Sequence, residues 1–67
     1  MTGLLELRKN KKMSQHQLAD IFEVSQKTIS AWERGYRTPK AKEMQKIEDY
    51  FGVPKEKIFF VAFGYSK

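Results

Sequence analysis

The sequence has 67 residues, no cysteine and a formal net charge of +5. A chain of this length forms one domain with one small core, and the lack of cysteine excludes disulfides and thiolate zinc sites. Hydrophobic residues make up 40% of it, but no apolar stretch approaches the ~20 residues that span a bilayer, and the first residues do not resemble a signal peptide. We therefore expect a soluble cytoplasmic protein that is not bound to a membrane and has a polyanionic partner.

Apolar residues at helical spacing predict a first helix from Leu4 to about Lys11, with Thr2 as its N-cap. The second helix is predicted to begin after Ser14, because Gln17 stands three residues later, as in a capping box. The expected buried stripe of this helix consists of Leu18, Ile21 and Phe22.

Ser25 predicts a third helix by the same capping argument, and Gly35 is suited to the left-handed position that ends a helix. We expect the helix to cover residues 26–34, with Ile29 and Trp32 facing inward at a three-residue spacing.

Thr38 and Pro39 predict a fourth helix, with Thr38 as N-cap and Pro39 in the first helical position. Gly52 is expected to end it, and Pro54 to open a short fifth helix in which Ile58 and Phe59 point inward. The expected buried stripe of the fourth helix consists of Ala41, Met44, Ile47 and Phe51.

The last residues differ in pattern, because apolar and aromatic residues alternate between positions 59 and 65. We expect a single all-α domain over residues 1–67, with a five-helix core (1–59) and a short extended or strand-like tail (60–67). The tail either folds back on the first helix, covering Leu5, or contacts a second copy of the chain, which we favour. The candidates for a dimer contact are Phe60, Val61, Phe63 and Tyr65.

The second and third predicted helices are separated by only a few residues around Glu23 and Val24, which fits a helix-turn-helix. In such a unit the first helix crosses the phosphate backbone and the second lies in the major groove of DNA. The third helix suits that role because its outward side is polar, with Gln26, Lys27, Ser30 and Arg34.

The run LRKNKKMSQHQLADIFEVSQKTISAWERGYRTP (residues 7–39) resembles the Xre/Cro family of lambda-repressor-like domains. Its SQ-x-x-LA, VS-x-x-T-I-S and WE-x-G elements have the family's spacing, and YFGVPKEKIF (50–59) is similar to the junction of the family's last two helices. The resemblance implies a compact five-helix fold, binding to an operator in double-stranded DNA, and a homodimer. The chain departs from the family at Glu23, where glycine is usual, and at Glu48, where a small apolar residue is common.

The resemblance also implies roles for individual residues. Arg8 and Glu33 match an ion pair that orients the reading helix. The residues in positions that contact bases are Gln26, Lys27, Thr28, Ser30 and Ala31. Those in positions that contact phosphates are Gln15, Arg34, Tyr36, Arg37 and Lys40.

The sequence does not indicate an enzyme. His16 is the one histidine, and there is no Gly-rich phosphate loop and no cluster of metal-ligand residues, so we expect no cofactor, metal or small-molecule ligand. The predicted function is sequence-specific transcriptional regulation, most simply by a repressor of phage or bacterial type. The alternatives are an antitoxin, a restriction-controller-type regulator, or an adaptor that keeps the fold but binds protein.

Overall fold

The computed structural model describes residues 2–59. These residues form five helices and no strand, as the all-α prediction required. The helices are α1 (Leu4–Asn10), α2 (Gln15–Phe22), α3 (Gln26–Arg34), α4 (Ala41–Phe51) and α5 (Lys55–Ile58). The predicted tail (60–67), with the dimer candidates Phe60, Val61, Phe63 and Tyr65, lies outside the described residues.

The starts of α2 and α3 are set by serine caps, as predicted. The Ser14 hydroxyl accepts from the Gln17 N–H at 3.0 Å, and the Gln17 side chain accepts from the Ser14 N–H at 2.8 Å, which completes a capping box. The Ser25 hydroxyl likewise accepts from the Thr28 N–H at 3.1 Å. These caps hold the two helices of the helix-turn-helix unit at the predicted positions in the chain.

The segment before α1 differs from the prediction, because Gly3 and not Thr2 occupies the N-cap position. The Thr2 hydroxyl still accepts a long hydrogen bond from the Leu4 N–H at 3.4 Å, but it donates to the carbonyl of Trp32 at 3.0 Å, and the Thr2 N–H donates to the carbonyl of Glu33 at 2.9 Å. The last carbonyls of a helix lack partners within it. Thr2 therefore supplies hydrogen bonds that the end of α3 needs.

The start of α4 was also predicted wrongly. The helix begins at Ala41 with Lys40 in the N-cap position, so Thr38 and Pro39 belong to the preceding loop. The reason is Glu43, three residues after Lys40, whose carboxylate accepts from the Lys40 N–H at 3.0 Å. This bond fixes the first turn two residues later than a start at Pro39 would place it.

The core is one cluster of buried apolar side chains drawn from all five helices and from Phe59. Its members are Leu4, Leu18, Ala19, Phe22, Ile29, Trp32, Met44, Ile47, Ile58 and Phe59.

α2 contacts both α3 and α4, so its buried face is centred between Leu18 and Ala19. Since residues turn by roughly 100° each, Ile21 lies beyond the edge of that face and is 43% exposed, against the prediction. Ala41, in the first turn of α4, is likewise exposed rather than buried.

An ion pair joins α4 to α5. The Lys55 ammonium donates to the Glu48 carboxylate at 2.7 Å, and this hydrogen bond raises the pKa of Lys55 above its ordinary value. The polar residue at position 48 is thereby accommodated beside the short last helix. Among residues 2–59, no helix combines the length and the apolar character needed to cross a membrane.

Candidate nucleic-acid interface

The third helix is anchored on one side and open on the other. Ile29 is fully buried and Trp32 is 3% exposed, so this face is fixed in the core. On the opposite side Gln26 and Lys27 are exposed in the first turn. Ser30 and Ala31, predicted to read bases, are half-buried one turn further along. The helix therefore presents a polar N-terminal surface on a rigid support.

A buried ion pair ties the end of α3 to α1. The guanidinium of Arg8 contacts both carboxylate oxygens of Glu33, with Nε to Oε2 at 2.5 Å and Nη2 to Oε1 at 3.2 Å. The Nη1 atom of Arg8 also donates to the carbonyl of Met13 at 2.8 Å. Glu33 is only 3% exposed, and a carboxylate at that depth is tolerated because it is paired and hydrogen-bonded.

The two glutamines of the predicted interface extend from this ion pair. The Nε2 of Gln15 donates to Oε1 of Glu33 at 2.9 Å. The Nε2 of Gln26 lies 3.5 Å from Oε1 of Gln15, the outer limit of a hydrogen bond. A chain of polar contacts thus connects the buried carboxylate to the exposed first residue of α3.

The predicted phosphate-binding residues fall into two clefts. The first has a volume of about 440 Å³ and lies between α1 and the end of α3. It brings together Gln15, Arg34 and Tyr36, and the Tyr36 side chain is 76% exposed. Lys9 lines the same cleft but was not among the residues predicted from the sequence to contact phosphates. Lys9 stands in a basic stretch before α2 that also holds Arg8, Lys11 and Lys12, and this stretch is the sequence feature that could have identified it.

The second cleft has a volume of about 310 Å³ and lies between the start of α3 and the segment that leads into α4. It brings Arg37 and Lys40 beside Thr28. The Thr28 hydroxyl is 2.9 Å from that of Ser25, so it is already engaged at the helix cap. Two groups of cations therefore lie next to α3, one toward each end of the helix.

The helix ends add to the positive potential of this surface. The first turns of α2 and α3 contain no acidic residue, and α3 carries Lys27 there. The free N–H groups at a helix start carry partial positive charge and attract anions such as phosphate. Neither first turn holds a carboxylate of its own, although Glu43 lines the cleft beside Ser25 and Thr28 at the start of α3.

The described residues contain no cluster of three or more side chains that could hold a metal ion. His16 lies 3.7 Å from Asp20 one turn along α2, and both side chains are more than 70% exposed. An exposed pair of this kind lies on the surface and does not form an enclosed site.

Comparison with known families agrees with this geometry. A family model described as helix-turn-helix matches residues 4–58, nearly all of the described chain. The chain belongs to this family, in its Xre/lambda-repressor-like branch, as the sequence motifs predicted.

Two relatives are proteins of Methanococcus maripaludis, from strains C5 and C7, named as HTH-type transcriptional regulatory proteins. Each is 43% identical to the chain over 51 residues, which is 76% of this chain and 16% of the relative. The chain thus spans about one sixth of the length of the relatives it matches.

Proposed function

We propose that this protein is a transcriptional regulator that binds specific sequences in double-stranded DNA, with α3 in the major groove. The proposal rests on the two faces of α3. Ile29 and Trp32 are buried in the core on one face, and the polar residues Gln26 and Lys27 are exposed on the other. The major groove admits one α-helix and distinguishes all four base pairs through donors and acceptors. Family membership and the names of the relatives support the same function.

The proposed division of labour follows the surface chemistry. A glutamine side chain matches the donor and acceptor of adenine, and a lysine can donate to guanine O6 or N7. The residues proposed to read bases are Gln26, Lys27, Thr28, Ser30 and Ala31. The residues proposed to contact phosphates are Gln15, Arg34, Tyr36, Arg37 and Lys40, which line the two clefts beside α3.

Repression is the simplest action for such a domain, because a protein bound over a promoter blocks it without any further contact. The proposal assigns no catalytic role to the chain. It also takes residues 1–59 as the DNA-binding core, with the operator as its partner.

Selection of bound sequences from random duplexes tests the proposal. We expect one short sequence to be enriched by the full chain, and Gln26→Ala to lose the preference at one position of it. Lys57→Ala is the control, because Lys57 lies on α5 and lines neither cleft beside α3. Binding without any enriched sequence would contradict a specific regulator, and no duplex binding at all would favour a protein adaptor.

We further propose a homodimer on DNA, based on the apolar and aromatic residues at positions 60, 61, 63 and 65. Dimers of helix-turn-helix proteins bind half-sites about one turn apart, so the enriched sequence is expected to be palindromic. Light scattering at high concentration should give twice the mass of the chain, and the Phe63→Asp variant should give the mass of a single chain. A monomer in both cases, with a site that lacks symmetry, would rule the dimer out.

A further inference from the structure

We infer that the outer side of α1 receives residues 60–65 of a second copy of the chain. This inference rests on the proposed homodimer and names the surface that the tail contacts. The surface, called the α1 face below, is a groove with a volume of about 370 Å³, lined by Thr2, Leu5, Glu6 and Lys9.

The α1 face has an apolar centre that the described residues cover only in part. Leu5 is half-buried, whereas its neighbour Leu4 is fully buried in the core. A second depression, with a volume of about 180 Å³, lies on the other side of Glu6, where Leu7 and Val53 are also half-buried. Because removal of apolar surface from water is favourable, this side of the domain is suited to an apolar segment packed along α1.

The tail begins directly beside this face. The Gly3 N–H donates to the carbonyl of Ile58 at 2.8 Å, which holds the start of α1 against the end of α5. Phe59 is 2% exposed, so the chain is anchored in the core up to the residue before the tail. Six extended residues span up to about 20 Å, whereas the seven residues of α1 cover about 10 Å. Residues 60–65 are therefore long enough to follow the α1 of a second copy when the starts of the two α1 helices meet.

The composition of the tail favours a second copy over coverage by its own domain. Residues 60–66 carry no charged side chain, so they suit a protein surface rather than phosphates. Successive side chains of an extended segment point to opposite faces, which puts Phe60 on one side and Val61, Phe63 and Tyr65 on the other. One domain covers only one of these sides, and a second copy covers the other.

The exchange of two tails also supplies the area that a stable dimer needs. Each tail has three aromatic residues, Phe60, Phe63 and Tyr65. An aromatic side chain buries roughly 150–250 Å², so two exchanged tails bury about 900–1,500 Å² through these residues alone. Specific interfaces bury about 1,200–2,000 Å² in total, and the two α1 faces contribute further area.

The α1 face also adjoins the proposed phosphate contacts. Leu5 and Lys9 line both this groove and the first cleft beside α3. A contact at the α1 face therefore fixes the first cleft of one copy relative to that of the other. Two half-sites at a constant spacing require such a fixed relation between the two copies.

Disulfide trapping tests the contact directly, because the chain has no cysteine of its own. Leu5→Cys is mixed with Phe63→Cys and oxidised, and mass spectrometry follows the formation of the 5–63 disulfide. Ile21→Cys mixed with Phe63→Cys is the control, since Ile21 is also a partly exposed apolar residue but does not line the groove. The double variant, with cysteine at both 5 and 63, shows whether the disulfide joins two chains or closes within one.

We expect the 5–63 disulfide to form about tenfold or more faster than the 21–63 disulfide, because docking raises the effective concentration of the two thiols. The double variant should run as a covalent dimer under non-reducing conditions. In light scattering, Leu5→Asp should give the mass of a single chain and Ile21→Asp twice that mass. If Leu5→Asp does not fold, the disulfide rates decide the result, since cysteine keeps the α1 face apolar.

Two results would overturn the inference. Equal rates for the two disulfides would show that the tail does not dock at the α1 face. A disulfide that closes within one chain of the double variant would show that the tail covers the α1 of its own domain. Failure of the proposed DNA recognition is distinguishable, because a chain that forms the 5–63 disulfide between copies but enriches no duplex sequence keeps the dimer contact and loses only the regulator.

Discussion

Glu23 and Lys12 are the two non-glycine residues among residues 2–59 whose backbone has a positive φ, and Glu23 is the one that stands where the family usually differs. It ends α2 in the left-handed region, with φ 57° and ψ 45°, where the family usually has glycine. The side chain is exposed, so nothing in the core compensates for the strain of about 1 kcal/mol. We expect Glu23→Gly to stabilise the protein by up to this amount and to raise the Tm by several degrees, measured by thermal unfolding.

Glu23→Ala separates the backbone effect from the charge. Alanine removes the carboxylate but keeps a Cβ in the left-handed conformation, so it should give no comparable gain. Equal stabilisation by both variants would show that the charge, rather than the backbone, is the source of the strain.

Arg8, in contrast to Glu23, has favourable contacts, because it neutralises the buried carboxylate of Glu33. Its side chain is 11% exposed, and that of Glu33 is 4% exposed. Replacing Arg8 with methionine strands the buried carboxylate, and we expect a loss of about 3 kcal/mol or more in urea unfolding. Adding Glu33→Leu removes the stranded charge and should recover much of the loss. A double variant no more stable than Arg8→Met would contradict this account.

For the helices, the sequence correctly predicted most features that depend on residues close together along the chain. Several local features were confirmed: the caps at Ser14 and Ser25, the left-handed Gly35, the end of α4 at Gly52 and the bounds of α3. Thr38 failed as a cap because a rival cap, Lys40 with Glu43, was available two residues later.

Burial was harder to predict where a helix contacts two others. Ile21 is exposed because of the way α2 packs against both α3 and α4. The spacing of apolar residues along one helix does not reveal how that helix packs against its neighbours. The same holds for the candidate interface. The sequence motif predicted the residues of this interface. It did not predict the contacts between Gln26, Gln15 and Glu33, which join positions up to 18 residues apart and depend on how the helices pack.

The link between Thr2 and α3 is another such feature, and it supplies hydrogen bonds to the last turn of α3. The Thr2 hydroxyl donates to the carbonyl of Trp32 from a partly buried position. We expect Thr2→Val, which keeps the shape, to cost about 1 kcal/mol in urea unfolding. Thr2→Ser keeps the hydroxyl and should cost less. If the two variants were equally stable, the bond would have no measurable part in stability.

For the whole molecule, the basic side chains are placed unevenly around a modest net charge of +5. Lys9, Arg34, Arg37 and Lys40 line the two clefts beside α3. Glu48 pairs with Lys55 of α5, outside both clefts, and of the two acidic residues that line the clefts, Glu33 is paired with Arg8 and Glu43 lies in the second cleft. This arrangement concentrates positive potential where the phosphate backbone is proposed to lie.

The salt dependence of binding measures how many of these cations meet phosphates. Each neutralised phosphate releases counterions, so the logarithm of affinity falls linearly with the logarithm of salt concentration. We expect Arg37→Gln to weaken binding to every duplex alike and to reduce that slope by about 1. Lys57→Gln removes the same charge from α5, outside both clefts, and should leave the slope unchanged. Equal slopes for the two variants would place the phosphates away from the second cleft and would require a different docking of α3 on the duplex.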